Sequence, residues 1–227
     1  DLPFVGGRNN HGTIDRYDES MFVYSRMLEN SDHVKVVVDR KKNRCVTLPS
    51  SGWSLIDDHI IVLKTSKSMI GFDWEGKEQW RYEIVQSPLG VDKSINDYGD
   101  SVIINAGDYG DGRGNLVRLS KAAGGTIWKK TFDTQIDNAL MIGDKIYVAI
   151  GNQMSILSAN RGESLLAFTA ELSETEHKTT LWTDGMLLYV FADESNRLLF
   201  YSLDGSQLIR VYSLPQGPVS YTHLRAH

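Results

Sequence analysis

Cysteine is almost absent: Cys45 is the only one among 227 residues. An intrachain disulfide therefore cannot form, and neither can a metal cluster held by several thiolates. The surrounding stretch "RCVTL" is apolar and strand-like, and we expect Cys45 to be a small buried hydrophobic side chain.

Long apolar runs and excess positive charge are also missing. No run approaches the roughly 18 apolar residues of a membrane-spanning helix, so we expect no transmembrane segment. Lys and Arg number 24 against 29 Asp and Glu, for a net charge of −5. A nucleic-acid surface needs clustered Lys and Arg, and the one concentrated run, "RKKNR" at 40–44, is short. We therefore expect no nucleic-acid partner.

What the sequence does have is a repeat of short strand-like runs. A polar turn followed by a β-prone run occurs as "ESMFV", "DHIIV", "DSVII", "DKIYV" and "GMLLY", with start-to-start separations of 39, 42, 44 and 41 residues. A second unit, an apolar run, a turn glycine and another strand, keeps the same order within each repeat. Two independent patterns thus share one period of about 40–50 residues, which is typical of a propeller blade.

These patterns predict an all-β fold, a β-propeller of four-stranded blades with about five blade units. A β-sandwich also has evenly spaced strands, but it would not repeat its turn chemistry in phase. A closed ring of seven or eight blades at this period needs roughly 300–340 residues, so we expect the ring to be incomplete in this chain.

A bulky apolar residue follows each turn glycine at an offset of four. Because Trp, Leu and Ile all occur there, the position requires bulk and not indole chemistry, and burial of such a side chain contributes roughly 1.5–3 kcal/mol. We interpret these residues as plugs between neighbouring blades. The glycine–plug pairs are Gly76 and Trp80, Gly124 and Trp128, Gly162 and Leu166, and Gly205 and Ile209. In the first blade Asn43 takes the place of the glycine, since Asn tolerates the left-handed conformation.

The pattern D-x-x-G-x-x-x-W in "FDWEGKEQWRY" resembles the pyrroloquinoline-quinone-like (PQQ-like) propeller repeat, and "KAAGGTIWKKTF" is similar to it. The resemblance covers about residues 3–214. It implies a bacterial, extracytoplasmic propeller, and the related outer-membrane assembly lipoproteins show that such folds serve as scaffolds. Because the repeats are intact and catalytic motifs are absent, we expect a non-catalytic propeller that binds a protein or a small ligand on its rim.

The alternative is part of a propeller enzyme, a quinoprotein dehydrogenase or an arylsulfotransferase-like protein, whose active residues lie outside this chain. Quinoprotein dehydrogenases of this superfamily use adjacent cysteines, and one cysteine cannot supply such a pair. No flanking constellation marks a histidine as a nucleophile. We therefore predict no catalytic residue and no cofactor.

The most unusual segment is "GDYGDGRGN", residues 107–115. Asp108 and Asp111 on a glycine-rich backbone could bind calcium, although the spacing differs from that of an EF-hand. The alternative is a long hairpin tip. As a decorated loop, it makes Asp108, Tyr109 and Asp111 our candidates for partner binding.

The sequence divides into three parts. Residues 1–17 form a leader and first-strand segment, residues 18–214 the blades, and residues 215–227 a tail. Residues 219–227, "VSYTHLRAH", look like a translated sequencing adapter, so we leave them out of functional reasoning.

Overall fold

A computed structural model describes residues 12–28, 33–49, 52–65, 67–84, 95–106, 112–172, 179–192 and 197–213. These residues form five four-stranded antiparallel sheets, here called blades 1 to 5, and each blade runs through consecutive strands in order. The described residues contain no helix. They accordingly include none with the length and apolarity that crossing a membrane requires.

The strands have the following bounds. Blade 1 contains β1 Gly12–Tyr17, β2 Met21–Met27, β3 His33–Asp39 and β4 Arg44–Leu48. Blade 2 contains β5 Trp53–Ile56, β6 Ile61–Lys64, β7 Ser68–Phe72 and β8 Glu78–Glu83. Blade 3 contains β9 Ile95–Tyr98, β10 Ser101–Asn105, β11 Gly114–Ser120 and β12 Thr126–Phe132. Blade 4 contains β13 Asn138–Ile142, β14 Lys145–Ile150, β15 Gln153–Ser158 and β16 Ser164–Thr169. Blade 5 contains β17 Thr179–Thr183, β18 Leu187–Ala192, β19 Arg197–Ser202 and β20 Leu208–Ser213.

The chain divides into two compact units, residues 1–131 and 132–227. In the first unit, one apolar cluster joins blades 1 and 2, and a second joins blades 2 and 3. In the second unit, a third cluster joins blades 4 and 5. The cores thus lie between successive sheets, because each sheet has two apolar faces to bury.

Strand periodicity decides which side chains enter these cores. In β4, Val46 and Leu48 are buried against blade 2, while Cys45 and Thr47, which alternate with them, are exposed. Cys45 is one of the exposed residues, so the expectation that it is buried is wrong. The reason is its place in the alternation, which turns Cys45 away from the face that carries Val46.

Trp80 shows how an outer strand meets the next blade. Its side chain is 7% exposed and packs with both blades 2 and 3, and its indole N–H donates to the carbonyl of Lys121 at 2.6 Å. A methyl group on Gly71 would lie 2.3 Å from the indole, and one on Gly124 would lie 2.6 Å from it. Gly124 also has φ of +66°, so both its backbone and its contact exclude a side chain.

Two other turn glycines lie against the preceding blade in the same way. A methyl group on Gly76 would lie 3.2 Å from Val46, and one on Gly205 would lie 3.3 Å from Leu166. In blade 1 the residue that contacts the next turn glycine is Val46. It follows the turn residue Asn43 by three positions, so the offset of four seen in the other blades does not predict it.

Ile209 is not a plug: its side chain is 51% exposed. After Gly76 and Gly162 the first paired residues are Glu78 and Ser164, two positions on, whereas after Gly205 the first is Leu208, three positions on. The extra turn residue moves Ile209 into the β-bulge of β20, where it leaves the ladder. The residue that pairs as Trp80 and Leu166 do is Arg210.

Candidate functional site

A pocket of about 570 Å³ opens among the first three blades, a volume in the usual range for small-molecule sites. We call it the Lys35 pocket. Its walls come mainly from β1 and β3 of blade 1 and from β5 of blade 2, with one residue from β9 of blade 3. The polar and aromatic side chains that line it are Asp15, Arg16, Lys35, Trp53, Ser54 and Asp97.

Lys35 is the buried cation of this pocket, with only 2% of its surface exposed. Its ammonium donates to Asp15 Oδ2 at 2.7 Å and lies 3.4 Å from Ser54 Oγ. The same carboxylate oxygen accepts a 2.5 Å hydrogen bond from the Ser25 hydroxyl. A buried ammonium needs such partners, because desolvation without them is costly.

The sequence around Lys35 carries a signal that marks this residue. In "HVKVVVD", Lys35 has the same parity as Val37, and both face the core. A charged residue on the buried face of a strand calls for a partner or a function, and here it has both a partner and a cavity.

A second buried lysine holds the pocket's far wall in place. Lys121 bridges Asp97 at 2.9 Å and Asp57 at 3.1 Å. Burial lowers the pKa of Lys121, but its hydrogen bonds to Asp97 and Asp57 outweigh that effect and leave the pKa raised. Burial likewise raises the pKa of Asp57, but the backbone N–H groups of His59 and Ile60 and the Lys121 ammonium bring it below its ordinary value. Both groups are therefore held in their charged forms.

Trp53 gives the pocket an aromatic wall. It lies on β5, and 59% of its surface is exposed, more than for the other four tryptophans. Trp80 is buried by the next blade, whereas Trp53 is left available at the mouth of a cavity. An exposed indole beside polar groups is a common contact surface for ligands.

Blade 5 carries a second exposed aromatic surface of a different kind. Trp182, Tyr189, Phe200 and Tyr212 lie on its four strands, with successive ring centroids 4.8, 4.8 and 5.1 Å apart. Trp182 is 55% exposed. Rows at the same register on blades 2 and 4 pack against the following blade, so this row has the position of a blade–blade face.

The predicted binding loop falls outside the described residues, since Asp108, Tyr109 and Asp111 all lie in 107–111. Among the side chains that the structure does describe, no three His, Cys, Asp or Glu residues are grouped as a metal ion would require. Calcium binding at Asp108 and Asp111 stays a prediction. Of the predicted repeat residues, the structure brings together Trp80 with Gly124 and Leu166 with Gly205, and it leaves Trp128 half-buried.

Comparisons with known proteins identify the fold and not a family. No protein-family model matches the sequence, and no curated protein matches it. Among solved structures, the β-propeller Hsv2 of Kluyveromyces lactis superposes with a TM-score of 0.58 at 11% identity, covering 91% of this chain and 71% of that one. Kluyveromyces lactis Hsv2 with a complete loop 6CD gives a TM-score of 0.54 at 12% identity, covering 79% of this chain and 57% of that one. The chain therefore has a β-propeller fold and spans about three fifths to seven tenths of these structures.

Proposed function

We propose that this chain is a non-catalytic PQQ-like β-propeller that acts as a binding scaffold, with the Lys35 pocket as its small-ligand site. The observation that carries the proposal is the pocket itself: a cavity of about 570 Å³ with a buried ammonium at one wall and an exposed tryptophan at another. The propeller fold supplies rigid strands for both walls, and rigid elements hold binding groups more reproducibly than loops do.

The charged groups behind the Asp97 wall of the pocket, Lys121 and Asp57, favour a structural role over proton transfer. General acid–base catalysis works best when the pKa of the catalytic group lies near the working pH. The shifts at Asp57 and Lys121 go the other way, because each group stabilises the charged form of the other. Such groups fix the shape and field of a site and exchange protons poorly.

A protein partner and an export destination remain part of the proposal. The similarity of "FDWEGKEQWRY" to the PQQ-like repeat supports an extracytoplasmic scaffold. The loop with Asp108, Tyr109 and Asp111 is our candidate for the partner contact, since loops on a rigid fold carry much of the recognition in proteins.

A thermal-shift experiment tests the pocket. We expect the melting temperature to rise with at least one probe from a panel of neutral methyl glycosides, choline, free amino acids and inorganic phosphate, because a ligand that binds only the native state stabilises it. The rise should disappear in Trp53→Ala and persist in Trp182→Ala, a matched exposed tryptophan outside the pocket. No rise with any probe, or a rise that Trp53→Ala retains, would overturn the pocket assignment.

Reconstitution tests the non-catalytic part of the proposal. We expect the chain, incubated with pyrroloquinoline quinone and calcium, to show no dye-linked alcohol or aldose oxidation. Turnover above the background of cofactor without protein would contradict a non-catalytic scaffold.

A further inference from the structure

From the charges and surfaces of the Lys35 pocket, we infer that its ligand is a neutral polyhydroxylated ring, a saccharide unit, stacked on Trp53 with its hydroxyls at the Asp15–Lys35 pair. This inference rests on the proposed function, because it names the ligand class of the same pocket. It also makes a narrower claim, since a scaffold could equally bind a charged ligand there.

The charges at the wall of the pocket are balanced within the protein. The charged side chains that line the pocket already have partners of opposite sign: Asp15 with Lys35 at 2.7 Å, Arg16 with Asp18 at 2.6 Å, and Asp97 with Lys121 at 2.9 Å. An anionic or cationic ligand would have to compete with one of these pairs and leave its other member without a counter-charge. A neutral ligand leaves all three pairs in place.

The Asp15–Lys35 pair presents hydrogen-bond donors and acceptors that suit hydroxyl groups. An ammonium has three N–H donors, a carboxylate has acceptor sites only, and a hydroxyl can donate and accept at once. Vicinal hydroxyls on one ring can therefore donate to Asp15 and accept from Lys35 without moving either group. The hydroxyl of Ser54 on β5 lies 3.4 Å from the Lys35 ammonium and adds a further polar group beside the pair.

The indole of Trp53 places an apolar surface beside these polar groups. Trp53 exposes 59% of its surface at the pocket. Trp80, which belongs to the same blade, is only 7% exposed because it packs against blade 3. A saccharide ring has an apolar face of C–H groups and a polar rim of hydroxyls. The pocket matches both, with the indole for the C–H face and the Asp15–Lys35 pair for the rim.

The burial of Lys35 shows that this is a built site and not a chance surface dip. Its side chain is 2% exposed yet lines the cavity, and its partners come from β1 and β5, two strands of different blades. Holding a buried ion pair beside a cavity costs stability that an apolar residue would not cost. Ligand binding in the adjoining cavity explains why the ion pair is present.

Saturation-transfer NMR on the whole chain tests the inference, with methyl β-glucopyranoside, methyl α-mannopyranoside and methyl β-galactopyranoside as separate probes. We expect transfer to the ring C–H protons of at least one glycoside. Trp53→Ala should weaken that glycoside about tenfold or more, and Trp53→Phe, which keeps an aromatic face, by less. Ser54→Ala should weaken it about fivefold through the loss of one hydrogen bond. Trp182→Ala is the control and should bind as the wild type does.

Parallel titrations with choline and with inorganic phosphate separate the two proposals. If choline or phosphate binds in a Trp53-dependent way and no glycoside does, the saccharide inference is overturned while the pocket remains a binding site. If none of these probes binds and free amino acids do not bind either, both proposals fail. If a glycoside binds equally well to Trp53→Ala, or is lost in Trp182→Ala, the saccharide is bound elsewhere and the inference is wrong. Because Trp53 is largely exposed, the Trp53→Ala variant should keep the wild-type circular dichroism spectrum.

Discussion

The two units join their blades with different chemistry. In the first unit, charged groups reach across neighbouring blades beside the apolar clusters. Lys35, which pairs with Asp15 within blade 1, lies 3.4 Å from Ser54 of blade 2, and Lys121 of blade 3 pairs with Asp57 of blade 2. In the second unit, neutral groups join blades 4 and 5, as where the Tyr147 hydroxyl donates to the carbonyl of Leu203.

The charged contacts of the first unit depart from what apolar packing alone would produce. A buried ion pair gains little net stability over apolar residues of similar volume, so its presence needs another reason. Of the three lysines that are buried among the described residues, Lys35, Lys64 and Lys121, Lys35 lines the pocket and Lys121 pairs with a residue that lines it. The second unit has the interface that packing alone would produce, with tyrosines, methionine and leucines interleaved.

The largest expected effect comes from the two plugs, one in each unit. We expect Trp80→Ala to lower the free energy of unfolding by about 3–5 kcal/mol, because it empties a buried site between blades 2 and 3. Leu166→Ala should cost about 2 kcal/mol, since Leu166 is only partly buried against blade 5. Urea denaturation followed by circular dichroism measures both. Gln79→Ala, at the exposed bulge beside Trp80, is the control, and equal losses for Trp80→Ala and Leu166→Ala would contradict the difference.

The second prediction isolates the contact that Trp80 makes with the next blade. Gly124 and Gly99 both have positive φ, +66° and +62°, but only Gly124 lies against the indole. We expect Gly99→Ala to cost about 1–2 kcal/mol from the left-handed backbone alone. Gly124→Ala should cost about 2–4 kcal/mol because it adds a clash with a buried ring. The same denaturation series checks this, and identical costs would show that Trp80 yields without strain.

The sequence predicts the architecture well and the pocket poorly, for physical reasons. Blade period and strand alternation are local patterns, so the four-stranded units could be read directly from residues such as Gly76 and Trp80. The exposure of Ile209 could not, because one extra turn residue after Gly205 moves Ile209 into the β-bulge without changing the apolar character of the segment. The Lys35 pocket depends on strands from different blades meeting, and no spacing along the chain encodes the approach of Lys35 to Ser54.

The third prediction tests the charged bridge of the first unit. Lys121→Met keeps the apolar stem and removes the ammonium that pairs with Asp57 and Asp97. We expect a loss of about 1–2 kcal/mol near neutral pH, kept modest because both carboxylates are partly exposed to solvent.

The pH dependence of that loss identifies its cause. The folded-state pKa of Asp57 is lowered, so its ionisation stabilises the fold above its unfolded pKa, and that stabilisation disappears as pH falls through the folded pKa. The difference in stability between the wild type and Lys121→Met should therefore begin to shrink below about pH 4 and shrink further as pH falls. Urea titrations near neutral pH and at about pH 3 measure the convergence. A difference that stays constant over this range would mean that Lys121 acts by packing alone.

The smallest effect should come from the hydrogen bond between Tyr147 and Leu203 in the second unit. Its stabilisation should be lost at alkaline pH, whereas that of the Lys121 bridge is lost at acid pH. Burial raises the pKa of Tyr147, with the charges of Asp204 and Asp144 adding to the shift. The neutral phenol therefore stabilises the fold fully below the unfolded pKa of about 10, and this contribution is lost as pH rises through the folded pKa. We expect Tyr147→Phe to cost about 1 kcal/mol near neutral pH, through the lost hydrogen bond to Leu203. The difference in stability between Tyr147→Phe and the wild type should begin to shrink above about pH 10 and shrink further as pH rises. A Tyr147→Phe cost that persists unchanged in alkali would show that the phenol acts by shape and not by its proton.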